Sequence, residues 1–363
     1  MMNNLVAMAR RLMQGNDISQ TSARDDDGKL LDIKVENITT GMINSAMVVS
    51  DGCLLVCGRA RQQGQVLTFD KQTRRPKFLA LSPSTICQVA LLPKTKGIIS
   101  ALDTGEIVII ENGQATLLKH SVLSRSSNSH THQFVVTDHF AFSAFSENVI
   151  LLYKWKKRQP CFRPFIPHLF AVEARDHETA YTLSEGGRRL TLFSLKILKP
   201  LKTLYKSLPP MKSKNDRSVA VRYHSLHCIP RTNFIAAIWY DPSYNPSISI
   251  FYKSLSHTCF TTKLPSDDDN GRPLFMLTMA DKLCVVYEAY FCCRIYRIES
   301  RSAEDCSLEY WATASHRDMP EYRPKVVGAI ETDGSLWISR ADGVVAKIDV
   351  SERVAVMEER AEI

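Results

Sequence analysis

Apolar and polar positions alternate along most of this chain in short runs, and the runs come in pairs that recur. One series reads QVLTFD (Gln65 to Asp70), EIVIIE (Glu106 to Glu111), NVILLYKW (Asn148 to Trp155), RLTLFSL (Arg189 to Leu195), SISIFYK (Ser247 to Lys253), CRIYRIE (Cys293 to Glu299) and VVAKIDV (Val344 to Val350). Before each stands a second run that ends in a polar turn. These runs are LLVCGRA (Leu54 to Ala60), GIISALD (Gly97 to Asp103), FAFSAFS (Phe140 to Ser146), AYTLSE (Ala180 to Glu185), IAAIWYD (Ile235 to Asp241), LCVVYEA (Leu283 to Ala289) and LWISRAD (Leu336 to Asp342). A period of two puts successive side chains on opposite faces of a strand, so each run predicts a strand and each pair a hairpin. Several of the turns between them carry glycine: Gly64, Gly105, Gly186 with Gly187, and Gly343.

The pairs begin roughly 40 to 60 residues apart, a spacing that fits four short strands per unit and predicts a β-propeller. A four-stranded unit has two faces and cannot bury both alone, so the units stack radially and cover one another. The innermost strands should then be nearly continuously apolar, as in VALLP (Val89 to Pro93), FVVTD (Phe134 to Asp138), LFAVE (Leu169 to Glu173), LFMLTM (Leu274 to Met279) and VVGAIE (Val326 to Glu331). The outer strands should be more charged, as in RRPKFLAL (Arg74 to Leu81) and RVAVMEE (Arg353 to Glu359), because an outer edge must repel other strands. Tandem β-sandwiches also give short alternating strands. They would not repeat one four-strand unit without linkers, and no linker is present. The expectation is an all-β, seven-bladed β-propeller of four-stranded antiparallel blades over residues 31–363, preceded by an N-terminal extension over residues 1–30. Within that extension Leu5, Met8, Ala9 and Leu12 lie at helical spacing, opposite Arg10 and Arg11. A docked amphipathic helix, a disordered tail and a targeting peptide compete there, and SQTSARDDDGK (Ser19 to Lys29) reads as a flexible connector. LDIKVENI (Leu31 to Ile38) is a strand candidate for closing the ring onto the last blade.

The chain of 363 residues is 44% hydrophobic, ordinary for a globular protein. No window approaches 18 uninterrupted apolar residues, which excludes a membrane-spanning helix. Arg10 and Arg11 break the only apolar run near the N-terminus, which argues against a secretory signal and for an intracellular, cytoplasmic or nuclear protein. Most of the ten cysteines sit inside strand runs: Cys53, Cys57, Cys87, Cys228, Cys259, Cys284, Cys292 and Cys293. Buried thiols in a reducing compartment behave as small hydrophobes. No CxxC pair exists, and adjacent Cys292 and Cys293 point to opposite faces of a strand, so no metal site is expected. His130 and His132 share one side of an extended Ser-rich stretch, without a third ligand. Asp25, Asp26 and Asp27 resemble a calcium loop only superficially, because Gly28 comes too early.

Across roughly Leu31 to Glu359 the repeat resembles the WD-repeat class of propellers, or a divergent relative such as citron-homology or vacuolar-sorting propellers. The resemblance is architectural. The Gly-His and Trp-Asp dipeptides of standard repeats are missing, and although Tyr153, Lys154 and Trp155 occupy a comparable strand end, no Asp follows Trp155. DGSLWISRADGVVAKID (Asp333 to Asp349) is similar to the repeat of sensor-type bacterial propellers. Propellers host both enzymes and scaffolds, so function must be read from sites. Asp boxes, a GxSxG elbow, an HExxH helix and a P-loop are all missing from the sequence. The expectation is a non-enzymatic protein with no cofactor: a protein-protein interaction scaffold or adaptor, a subunit of an intracellular complex.

Charge adds a location. Between Lys154 and Arg222 there are sixteen basic and five acidic residues, while the whole chain has a formal net charge of +8. A one-sided positive field attracts an acidic partner and speeds its encounter. The candidate partner-binding positions are Lys154, Lys156, Lys157, Arg158, Arg163, Arg188, Arg189, Lys202, Lys206, Lys212 and Lys214, which fall on the third and fourth blades and the connection to the fifth. An acidic protein surface heads the candidate partners; nucleic acid and anionic lipid are the alternatives, and a solvated face with no ligand is the bland reading. The segment WYDPSYNPS adds Trp239, Tyr240 and Tyr244 as aromatic anchors, against packing between blades as their other use.

Overall fold

The computed structural model describes residues 17–24, 30–50, 53–61, 63–70, 76–92, 97–104, 106–118, 134–136, 140–146, 149–154, 159–164, 171–176, 178–184, 189–197, 199–205, 222–240, 245–256, 258–264, 271–279, 282–288, 293–302, 305–314 and 325–352. Every regular element among them is a β-strand. The N-terminal segment for which a docked helix, a disordered tail and a targeting peptide compete lies outside the described residues up to residue 16.

The first described strands are β1 (Asp17–Arg24) and β2 (Leu30–Thr39). Six four-stranded blades follow in chain order. The first holds β3 (Ile43–Ser50), β4 (Cys53–Ala60), β5 (Gln63–Asp70) and β6 (Pro76–Ser82); the second holds β7 (Ile86–Leu91), β8 (Ile98–Leu102), β9 (Ile107–Glu111) and β10 (Gln114–Leu118). The third holds β11 (Phe134–Val136), β12 (Phe140–Ser146), β13 (Val149–Lys154) and β14 (Gln159–Pro164); the fourth holds β15 (Ala171–Ala174), β16 (Thr179–Ser184), β17 (Arg189–Ser194) and β18 (Lys199–Tyr205). The fifth holds β19 (Arg222–Cys228), β20 (Phe234–Tyr240), β21 (Pro246–Tyr252) and β22 (Thr258–Lys263); the sixth holds β23 (Pro273–Met279), β24 (Lys282–Tyr287), β25 (Cys293–Ser302) and β26 (Asp305–Ala314). The last described strands are β27 (Val326–Thr332), β28 (Ser335–Arg340) and β29 (Val344–Glu352).

These last three strands do not complete a seventh four-stranded blade. They form a five-stranded closing sheet in the order β1-β2-β29-β28-β27, so the fold has six four-stranded blades rather than the expected seven. The physical reason lies at the edge of β29. RVAVMEE, expected there as the outer strand, lies beyond the described residues, and β2 pairs with β29 instead, with Val35 opposite Ile348. The connector expected from Ser19 is strand over β1, antiparallel to β2 with Ser19 opposite Val35. The innermost strands β3, β7, β11, β15, β19, β23 and β27 touch in that cyclic order, and β27 returns to β3, which makes a closed ring around a channel.

The apolar cores sit between neighbouring sheets, where facing side chains leave water. Cys57 and Val66 of the first blade meet Ile98 and Val108 of the second. Ile238 and Ile250 of the fifth meet Val285 of the sixth, and Leu277 and Val286 of the sixth meet Ile338 and Ala346 of the closing sheet. The second and third strands lie deeper than the innermost ones, which were expected to be nearly continuously apolar, and β21, a third strand, is buried along its whole length. Every residue of β8 and β28 is buried, whereas in β27 only Val326 and Gly328 are. A second strand is flanked in its own sheet on both sides, while an innermost strand has one edge on the channel. A bulge near the start of five innermost strands, as between Asn44 and Ala46 in β3 and between Tyr223 and Ser225 in β19, increases local twist at that edge.

Ring closure is stapled by polar bonds as well as by Ile38 against Trp337 and Val345. The Thr40 N–H donates to the Gly343 carbonyl (2.8 Å), the Thr40 hydroxyl to Asn44 Oδ1 (2.7 Å), and Asn44 Nδ2 to the Val344 carbonyl (3.3 Å). Beside them the almost fully buried Arg340 guanidinium grips Asp342, with Nε donating to Oδ1 at 3.0 Å.

Candidate functional site

The candidate basic positions divide between strand ends and the rim. Lys154 closes β13 opposite Gln159, at the β13–β14 turn, while Arg163 on β14 pairs with Ile150 at the far end of the same hairpin. Arg189 opens β17 opposite Tyr205, and Lys202 stands exposed midway along β18, opposite Leu192. The described positions therefore spread over the height of the third and fourth blades. Lys156, Lys157, Arg158, Arg188, Lys206, Lys212 and Lys214 lie outside the described residues.

The aromatic candidates are differently placed. Tyr244 lies outside the described residues. Trp239 and Tyr240 end strand β20 rather than riding on a loop. Tyr240 is buried, and its hydroxyl donates to the Pro273 carbonyl of the sixth blade at 3.2 Å. Burial pushes its phenol above the usual range. Trp239 is half-buried against the core between the fourth and fifth blades, with Nε1 donating to Ser249 Oγ at 2.8 Å. Of the two uses open to Tyr240, an exposed anchor or packing between blades, its burial and its bond to the sixth blade are those of packing between blades.

Large apolar side chains are exposed elsewhere, on the outer strands. Phe78, Leu79 and Leu81 lie on β6, Leu117 on β10, which touches β6, and Ile197 and Leu201 at and beside β18. RRPKFLAL showed this signal in the sequence as charge mixed with apolar residues. Which of those residues would face outward depends on a bulge opposite Val66 and Leu67, which the pattern does not show.

A polar chain crosses three innermost strands at the channel. Glu173 on β15 accepts the Cys228 N–H of β19 through Oε1 (3.2 Å), and the same oxygen lies 3.6 Å from His227 Nδ1. The other ring nitrogen of His227 meets Thr278 Oγ1 of β23 at 2.8 Å. Below them Lys253 Nζ donates to the Ile229 and Thr232 carbonyls (3.0 and 2.8 Å), and the Tyr181 hydroxyl donates to the Lys253 carbonyl. Burial pushes the Glu173 carboxyl up to about 7, against the Cys228 N–H and the Lys253 ammonium, which pull it down. Burial, with the Lys253 ammonium adding to it, pulls the His227 imidazole down to about 4. Burial, reinforced by Glu173, pushes the Cys228 thiol up to about 12. Hydroxyl, imidazole and carboxyl stand in the order of an acyl-transfer relay. Yet 3.6 Å exceeds a hydrogen bond, and a carboxyl near 7 is a poor fixed anion for orienting the imidazole. The arrangement serves as a latch from blade to blade. Sequence reading missed it because Glu173 and Cys228 are 55 positions apart and no motif joins them. Among the described residues no cluster of three or more His, Cys, Asp or Glu side chains could hold a metal ion.

No protein-family model matches the chain, and no curated protein matches it in sequence. Solved structures do match in shape. The WD40 domain of coronin from Toxoplasma gondii superposes with a TM-score of 0.62 at 8% identity, covering 92% of this chain and 86% of that one. A chain of the Mitotic Checkpoint Complex gives 0.61 at 11% identity, covering 86% and 90%. Virginiamycin B lyase from Staphylococcus aureus gives 0.61 at 8% identity, covering 87% and 99%. The class defined by fold and comparisons is that of β-propellers with WD40-like architecture. Identities this low establish the fold alone.

Proposed function

We propose that this protein is a non-enzymatic protein-protein interaction platform, a subunit or adaptor of an intracellular complex. Its basic third and fourth blades would face an acidic partner. The observation that carries this reading is the exposure of Phe78, Leu79, Leu81, Leu117, Ile197 and Leu201 on a rigid rim whose cores are otherwise closed. Phe78, Leu79 and Leu81 lie on β6 beside Leu117 on the touching β10, while Ile197 and Leu201 stand apart on the fourth blade, and exposed apolar groups of this kind on a folded protein mark contact surfaces. The resemblance of fold to a chain of the Mitotic Checkpoint Complex supports an assembly role. Cys53, Cys57, Cys228, Cys284, Cys293 and Cys306 are free thiols, which fits a reducing compartment. No helix among the described residues is long and apolar enough to cross a membrane.

Purification of the endogenous protein through a C-terminal tag, with and without nuclease and at low and high salt, tests the proposal. A stoichiometric protein partner that survives nuclease and is released by Phe78→Asp with Leu81→Asp is the expected result. Recovery that depends on nucleic acid and falls steeply with salt would replace the scaffold reading with phosphate binding.

A further inference from the structure

The rim of the fourth blade sets exposed lysines beside exposed apolar side chains, as β6 does with Lys77, Phe78, Leu79 and Leu81, but here within the basic sector of the chain. Lys196, Ile197, Lys199, Leu201 and Lys202 are all exposed along the β17–β18 turn and the first half of β18, with Ile197 at 57% and Leu201 at 53%. The exposure is built into the backbone. Leu195 is fully buried and its N–H donates to the Glu178 carbonyl (2.8 Å), while Ser194 Oγ accepts the Ile197 N–H (3.4 Å). The turn is thus anchored at its root, and Lys196 and Ile197 have nowhere to go but outward. Leu201 is turned out by a second device: the register of β18 against β17 slips between Leu192 and Phe193, so Leu201 is the extra residue of a bulge.

Charge around the strip is one-sided. Lys196 reaches Glu178 at 3.6 Å, but both groups are more than half exposed and such a pair contributes little. Asp176 is occupied by the Thr179 hydroxyl and by the backbone N–H groups of Glu178 and Thr179. Lys199 and Lys202 have no carboxylate within ion-pair distance among the described residues. The mode of recognition follows from the edge itself. Pro200 has no N–H, and the bulge at Leu201 interrupts the ladder, so this edge cannot template an added strand over its first half. A partner must be held by side chains.

We infer that the β17–β18 rim is a docking strip for an acidic segment of another protein. Two apolar side chains of that segment would cover Ile197 and Leu201, while its carboxylates meet Lys199 and Lys202. This deepens the platform reading and rests on it. The strip is preorganised, so ordering it on binding costs little.

The test uses the full chain and a fluorescein-labelled acidic peptide carrying two leucines. The comparison probes are the same peptide with both leucines changed to serine, single-stranded DNA of similar charge, and phosphatidylserine vesicles. Binding is followed by anisotropy, or by co-sedimentation for the vesicles, at two salt concentrations. Ile197→Ser with Leu201→Ser should weaken the leucine peptide roughly tenfold or more and bring it level with the serine peptide. Lys199→Ser with Lys202→Ser should weaken it comparably and flatten its salt dependence. Methylating the peptide's backbone nitrogens should leave binding unchanged, because no ladder forms. All four residues are exposed, so the variants should keep the parent's thermal midpoint. If the leucine peptide is lost only on changing Lys154, Arg163 and Arg189, the basic platform stands and the rim strip is wrong. Loss on backbone methylation would overturn side-chain docking in favour of strand addition. Binding of DNA or vesicles without the peptide, or failure of every probe to bind, overturns the strip, whereas the platform reading stands or falls on recovery of an endogenous protein partner.

Discussion

Glu173 and His227 answer to pH in opposite senses, and together they hide each other. A carboxyl raised from 4.5 to about 7 on folding stabilises the fold below 4.5, and that contribution is lost as pH rises through 7. An imidazole lowered from 6.5 to about 4 stabilises the fold above 6.5, and that contribution is lost as pH falls through 4. Between about 4.5 and 6.5 the unfolded chain carries its proton on His227 and the folded chain on Glu173. Folding there moves a proton without taking one up. The parent protein should show little pH dependence from this pair. Glu173→Gln, which leaves His227 alone, should become more stable as pH rises from about 4 to 6.5. His227→Gln, which leaves Glu173, should become less stable as pH rises from about 4.5 to 7. Urea unfolding across that range reads both slopes, and parallel slopes in the two variants would mean that the residues are not shifted by burial at the latch. Thr278→Val should cost about 1 kcal/mol at any of these pH values, because it leaves a partly buried imidazole nitrogen without its partner.

At the level of elements, the β28–β29 turn carries a requirement that single-residue patterns cannot show. Gly343 sits at φ 84°, and a Cβ added there would lie 2.3 Å from the Met42 carbonyl oxygen. Neither the left-handed backbone nor the close approach suits alanine. Gly343→Ala should therefore destabilise by about 2 kcal/mol or more, with a matching fall in thermal midpoint. An unchanged midpoint would mean that the Thr40 to Gly343 staple is not part of closure. The turn glycine itself was legible in LWISRADG, as were nearly all second and third strands, because a strand covered on both faces of a blade reads as a compact apolar run bounded by polar turns. β1 was not. DISQTSAR offers a single large apolar residue, and what makes it a strand is its antiparallel pairing with β2, which the pattern of the segment alone does not show. The innermost strands misled in degree: FVVTD and VVGAIE look continuously apolar, yet one edge of each faces the channel. The basic positions were legible as composition. The rim strip was not, since the exposure of Leu201 depends on a bulge and that of Ile197 on the anchorage of Leu195.

For the molecule as a whole, closure depends on two ends of the chain meeting in one sheet. β2 lies between β1 and β29, and Ile38 at its end fills the core shared by the closing sheet and the first blade. A chain beginning at Thr40 would keep six complete blades and lose both the cover of β29 and that packing. An uncovered edge strand is a template for pairing with another chain. Truncation before Thr40 should thus cost on the order of several kcal/mol, a large fraction of a typical total stability. It should also produce association that grows with protein concentration, seen by light scattering and sedimentation. The two effects have one cause, so a synthetic peptide spanning residues 30–39 should reverse both, raising the midpoint and suppressing association in proportion to its occupancy. If the truncated protein stayed monomeric with an unchanged midpoint, the blades would be holding the ring closed without β2. The closing sheet would then be an ornament of the N-terminal segment rather than the lock of the ring.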